Sequence, residues 1–306
     1  MATTMSGAFG ASAPGERVAR PSFFGVLRGE WIKVTRMWAF WVMIGLMLIG
    51  YVLFAIILTA GGNLDQRLAA APLQGLYIFM TSDLFLLRVF WGMMMIILTA
   101  RLVGMEYSSG TIRVLLARGV GRLQLLFAKL TVVSLIAVIG GALLLVWATL
   151  CGLVGVQLAT HSLDALKSAD AMFWSDTRLN VASVLVSLGS SILLAAAVTT
   201  VTRSLAAGLS VSIAWFPVDN FSILLLVLGD RLTHWDFWSL VSGDFLGLNL
   251  NAMSTLLMSP AGSTIRSFLV PLTPVTGAHT LLVAGIYSAV ALVVMITMAA
   301  LPDVKE

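Results

Sequence analysis

An all-α membrane protein with six transmembrane helices is the fold that the sequence predicts, and three observations predict it. Of its 306 residues, 59% are hydrophobic and only 10% charged, against about 25% charged in an ordinary globular domain, and mean hydropathy is +1.00. Six apolar stretches reach the roughly 20 residues that cross the hydrocarbon as a helix. Lys and Arg are shared unevenly between the connections, as the positive-inside rule requires of short loops. A water-soluble fold this poor in charge would expose more apolar area than solubility allows. Soluble, disordered and fibrous classes are excluded, and membrane lipid is the first partner implied, because internally bonded helices place apolar side chains in lipid without cost. The one cysteine, Cys151, lies in an apolar run and excludes a disulfide framework or a Cys-based zinc site.

Residues 1–20, rich in Ala, Gly, Ser and Thr, are expected to form a disordered leader too poor in apolar residues for a signal peptide. Over residues 21–37 an amphipathic helix is expected: Phe24, Leu27, Trp31 and Val34 recur at helical spacing while Arg28, Lys33 and Arg36 point elsewhere,. Such a helix lies on the membrane interface, as a plain anchor or as a docking element. The transmembrane domain covers 38–301, with spans at about 38–58, 76–100, 130–156, 181–201, 205–228 and 280–301. The first, third, fourth and sixth are uncharged. The second contains Asp83 and Arg88, and Arg88, near its outer end, is expected to snorkel to the headgroups. Six spans put both termini on one side. Of the 18 basic residues, twelve fall on that side and five opposite, with Arg88 inside a span, so the termini, including the tail 302–306, are expected in the cytoplasm. The basic residues thus report topology. No basic stripe with interleaved aromatics points to nucleic acid.

Between the second and third spans, residues 106–122 read EYSSGTIRVLLARGVGR. Ser108 or Ser109 is expected to cap a short helix on which Ile112, Leu115 and Leu116 form an apolar face. Arg113 and Arg118 project from it, Arg113 toward an acidic rim or back onto Glu106, and Gly119 and Gly121 end it. A rigid amphipathic knob of this kind suits a groove on a cytoplasmic partner; the alternative is a solvated positive loop. In the fifth span, Pro217 removes a helix hydrogen bond, so the helix is expected to break there, or to end there with residues 221–228 as a re-entrant piece. Because a carboxylate facing lipid is expensive, Asp219 and Asn220, with Trp215 and the freed carbonyls near Pro217, are read as lining a hydrated outer cavity. Residues 229–279 form an outer segment too long for a plain connection. Its cluster Trp235, Phe237 and Trp238 marks an interfacial helix.

Enzyme chemistry finds no support. Gly229-Asp230 and Gly243-Asp244 match half of a membrane aspartyl protease motif, but Val227 and Val241 stand where glycine is needed. No G-x-S-x-G elbow occurs, and His161, His234 and His279 have no metal-ligand spacing. A phosphate-binding loop needs Gly before Lys, whereas Lys33, Lys129, Lys167 and Lys305 follow Ile32, Ala128, Leu166 and Val304. The chain therefore binds no ATP through such a loop, and ATP-driven work would need a partner. A structural subunit of a larger membrane complex needs no motif and is the alternative to transport.

Glu106, Gly110, Thr111, Arg113, Leu115, Leu116 and Arg122, followed by Ala128-Lys129, resemble the pattern found in permease subunits of type-two class ABC exporters, which often carry proline where this chain has Gly119. The leader helix with Glu30, Trp31 and Lys33 looks like that family's elbow helix, and the six-span plan matches after residue 20. The resemblance implies a permease in a bacterial-type cytoplasmic membrane, paired with a second permease as a homo- or heterodimer. It implies that Glu106, Ser109, Gly110, Thr111, Ile112, Arg113, Leu115 and Leu116 form a coupling helix seated on a separate ATPase subunit. That subunit would hold ATP and Mg, with no cofactor in this chain and short outer helices capping the exit path.

Overall fold

The computed structural model describes residues 21–60, 68, 70–259 and 269–301; the leader 1–20 and the tail 302–306 lie outside them. Among the described residues the chain consists of helices and their connections, without strands. A helix α1, Phe23–Thr35, precedes the first long helix α2, Trp38–Ala60. The second long helix α3, Pro72–Ser108, runs without a break, although residues Leu87–Trp91 adopt a π-helical turn. A seven-residue helix α4, Thr111–Ala117, connects it to α5, Arg122–Thr160. Helices α6, Ala171–Thr202, and α7, Leu205–Thr233, follow. Two short helices, α8, Asp236–Ser242, and α9, Leu246–Leu257, precede the last long one, α10, Gly277–Ala300. Six helices are long and apolar enough to span a membrane, and the chain is an all-α membrane protein.

Local chemistry sets the ends. Ser22 accepts the Gly25 N–H at 3.1 Å, Asp170 that of Phe173 at 2.7 Å and Thr276 that of His279 at 3.2 Å, each satisfying one of the orphan donors of a first helical turn. At the other ends of α5 and α7, His161 and His234 adopt left-handed conformations with φ of 53° and 52°. That stops the helix as glycine commonly does, and it accounts for two of the three histidines.

Helices α3 and α6 form the centre, with α5, α7 and α10 packed around them and α2 resting on α5. Trp91 is fully buried and donates its indole N–H to the Ala137 carbonyl at 3.0 Å. Gly140 and Gly141 make room for it: a methyl at Gly140 would sit 2.5 Å from the indole. Small residues play the same part along α6, where Ser187, Ser190, Ser191, Ala195 and Ala196 are buried, as expected where helices approach closely in lipid.

The apolar stripe of α1 divides in the structure. Leu27 and Val34 pack into the bundle core, while Phe24 and Trp31 are exposed and the buried face is completed by Glu30. The outer segment also differs from a simple cap. Residues Leu246 to Met253 of α9 are all buried, and α9 is wedged against α6, α7 and α10. Its approach to α7 is close, since a methyl at Gly247 would lie 2.7–2.8 Å from the backbone of Asp219 and Asn220. Backbone cannot move aside as a side chain can. Gly247→Ala is therefore expected to lower stability by about 1–3 kcal/mol, seen as a lower midpoint in thermal unfolding followed by tryptophan fluorescence; an unchanged midpoint would mean that α9 is free to shift.

Candidate functional site

At the end of the bundle where α3 hands over to α5, α4 stands clear of the core, with no buried residue. The serines do not cap it. Ser109 donates through both its N–H and its hydroxyl to the Met105 carbonyl, and the Ser108 hydroxyl does the same, because the last turn of α3 leaves carbonyls in need of donors. The cap position is taken by Gly110 at φ +67°, a left-handed value that costs glycine nothing, and Ser109 instead meets the Thr111 hydroxyl at 2.9 Å. At the far end, the Gly119 N–H bonds to the Leu116 carbonyl at 2.9 Å and the Val120 N–H to Leu115 at 3.2 Å. That pair of bonds is a Schellman closure. It needs φ +85° at Gly119, a value closed to the proline common at that position in the resembling permeases. Ile112, Leu115 and Leu116 are half-buried, whereas Arg113 and Val114 are exposed.

Beneath α4 lies a knot of four charges. Lys129 is 3% exposed, Glu30 2% and Glu106 5%. The Lys129 ammonium spends its three donors on Glu30 at 2.8 Å, Glu106 at 2.9 Å and the Leu102 carbonyl at 2.9 Å, which is all that a lysine can donate. Lys33, half-exposed, closes the ring on Glu30 and on Glu106 at 2.9 Å. Glu106 is thereby engaged by the two lysines, and Arg113 does not fold back onto it. Burial works against the charge of Lys33, but the hydrogen bonds and fields of Glu30 and Glu106 outweigh it and hold its pKa above the ordinary value. A raised lysine pKa contributes stability that is complete below the unfolded-state value and fades only as pH climbs through the folded one, so this knot holds through the neutral range. It fastens α1, the end of α3 and the start of α5 to one another on either side of α4.

The intramembrane residues are arranged differently from expectation. α7 is continuous through Pro217; a proline is tolerated inside a membrane helix that neighbours hold in place, and α3 and α9 pack along this one. Asp219 and Asn220 are buried and face inward, and Trp215, one helical turn before Asp219 on the same face, is part-exposed and lines the same small space,. The Asp219 carboxylate accepts the Gly247 N–H at the start of α9, a helix whose own cap position, Phe245, supplies no side-chain acceptor. An acidic group there also meets the positive end of the helix dipole. Its other oxygen and the Ser212 hydroxyl lack partners beside a space of about 20 Å³, room for a single water.

Arg88 does not snorkel. It is 7% exposed, donates from Nη2 to the Asn251 side-chain oxygen and lies 5.5 Å from the Phe85 ring centre. Asn251 in turn donates to the Asn220 carbonyl at 3.3 Å, and Asn220 to that of Phe216 at 2.8 Å. Sequence reasoning singled out Arg88 and Asn220 separately and missed their link through Asn251, which with Asn249 stands among the apolar residues at the start of α9. A third polar cluster pins the outer segment: Asp176 accepts the Tyr77 hydroxyl at 2.7 Å and the Ser259 N–H at 2.9 Å.

A family model described as ABC-2 family transporter protein matches residues 26–219, from within α1 to the middle of α7. The chain belongs to this family. No curated protein matches it. As an ABC-2 permease it is a membrane transport subunit, and the matched stretch contains α4, the charge knot and Arg88, while α8, α9 and α10 of this permease lie beyond it.

Proposed function

We propose that the chain is the permease subunit of an ABC exporter in a bacterial-type cytoplasmic membrane, with both termini in the cytoplasm. It pairs with a second permease, a homodimer or heterodimer partner, and takes its drive from a separate ATPase subunit that carries ATP and Mg. The observation that best supports this is the form of α4: a helix with no buried residue, closed at both ends by left-handed glycines and braced from below by a buried charge knot. A loop that only connected two spans would need neither the closures nor the brace. Ile112, Leu115 and Leu116 would fill a groove on the ATPase, with Glu106, Ser109, Gly110 and Thr111 fixing the angle of approach and Arg113 meeting an acidic rim. On the transport pathway, Asp219 and Asn220 supply the polar groups of α7, with Trp215 and Pro217 beside them.

Affinity purification of the full chain in mild detergent tests this, and an ATP-binding cassette subunit should co-elute. If other membrane subunits elute and no ATPase does, the chain is a structural component of a different complex. In intact cells, with Cys151→Ala, a cysteine replacing the exposed Arg113 should be protected from an impermeant thiol reagent, and one replacing Lys167 should react. The opposite pattern would reverse the orientation.

A further inference from the structure

A cavity of about 320 Å³ lies between α2, α3, α6 and α9, within the size of sites that hold small ligands. Its lining mixes polar side chains, among them Arg88, Ser183, Asn251 and Ser254, with apolar ones, among them Phe54, Phe85 and Val184. Phe85 is part-exposed. Three features of the polar lining point to a ligand. Arg88 Nη1 is buried without a hydrogen-bond partner. No carboxylate lines the cavity, and among the described residues none pairs with Arg88. The guanidinium is also carried on the π-helical turn Leu87–Trp91, an irregularity frequent at functional sites. A buried cation with a free donor and no counter-charge is a costly arrangement unless an anion completes it.

We propose that this cavity binds an amphiphile through an anionic headgroup, a phosphate or carboxylate received by Arg88, with its apolar tail against Phe54, Phe85 and Val184. The guanidinium presents a fork that matches such oxyanions. Asn251 holds Nη2, which leaves Nη1 as the donor of the guanidinium without a partner. Because Asn251 belongs to α9, the receptor is complete only when α9 is seated. The inference names a substrate class for the permease and rests on that reading for calling the ligand cargo. Binding is measured without the ATPase, so a failed co-elution and a failed binding experiment are distinct results.

The probes are 1-oleoyl lysophosphatidate, monooleoylglycerol as its uncharged counterpart, and inorganic phosphate, added to the full chain in neutral maltoside detergent and followed by calorimetry and thermal unfolding. Lysophosphatidate should bind and raise the unfolding midpoint. Monooleoylglycerol and phosphate should each bind at least tenfold more weakly, the range expected for losing a charge-assisted hydrogen bond or an apolar tail. Arg88→Gln should weaken lysophosphatidate binding roughly tenfold to a hundredfold while leaving the unliganded midpoint unchanged or higher, since a buried uncompensated charge has been removed. A lower midpoint with unaltered binding would make Arg88 a structural cation and overturn the proposal. Ser254→Phe, which fills the space without touching Arg88, should also abolish binding. Equal binding of monooleoylglycerol removes the anionic headgroup from the proposal, and equal binding of phosphate removes the amphiphile.

Discussion

Replacing Leu115 and Leu116 together with aspartate is expected to abolish ATP-driven transport while leaving the helical bundle intact. Neither side chain is in the core, and α4 has no buried residue, so folding loses little. At a partner's groove the balance is different. Each leucine contributes about 1.5–3 kcal/mol when buried, and a carboxylate in its place adds a desolvation cost with no cation supplied. A combined loss above about 3 kcal/mol weakens association more than a hundredfold. The double variant should therefore elute as a monodisperse permease with an unchanged unfolding midpoint, yet without the ATPase. In proteoliposomes it should neither stimulate hydrolysis nor move substrate. Normal assembly and transport would return α4 to the status of a solvated loop.

Lys129→Met is expected to cost about 3–5 kcal/mol, the usual penalty for leaving buried charge without its partner. Glu30 and Glu106 would then share Lys33 alone, itself half in solvent, and the Leu102 carbonyl would lose its donor. The midpoint should fall, and trypsin should cut the exposed Arg28 and Arg36 faster as α1 loosens. Glu30→Met in the same chain should recover part of the loss, because it removes one of the stranded carboxylates. If the double variant is less stable than Lys129→Met by the full cost of Glu30→Met alone, the two residues act independently and the knot is not a unit.

The six long helices were legible because lipid imposes a length and a composition that each must satisfy alone. The short-range chemistry was partly legible. α4 was expected, but its cap was assigned to serine when the backbone needed a left-handed turn, which Gly110 provides. Glu30, Lys33, Glu106 and Lys129 were all singled out by family resemblance, yet their mutual pairing was not visible, since 99 residues separate Glu30 from Lys129. Arg88 was misread for the same reason. Snorkelling is sound for an isolated helix, but the groove above Arg88 is closed by α9, 163 residues later in the chain. α9 itself is too short to count as a span and too polar to count as core. Pro217 was expected to break α7 because the local rule ignores the helices packed along it.

The knot beneath α4 contains two carboxylates and two ammonium groups, and its charges sum to zero. A single elementary charge carried across the whole membrane field is worth about 2.3 kcal/mol per 100 mV, enough for an energised membrane to bias a charged lever. α1 and the adjoining ends of α3 and α5 are bound through a group that carries none. The knot itself therefore gives that field nothing to act on, and the net positive charge of this end of the bundle is left to exposed arginines such as Arg28, Arg113 and Arg118.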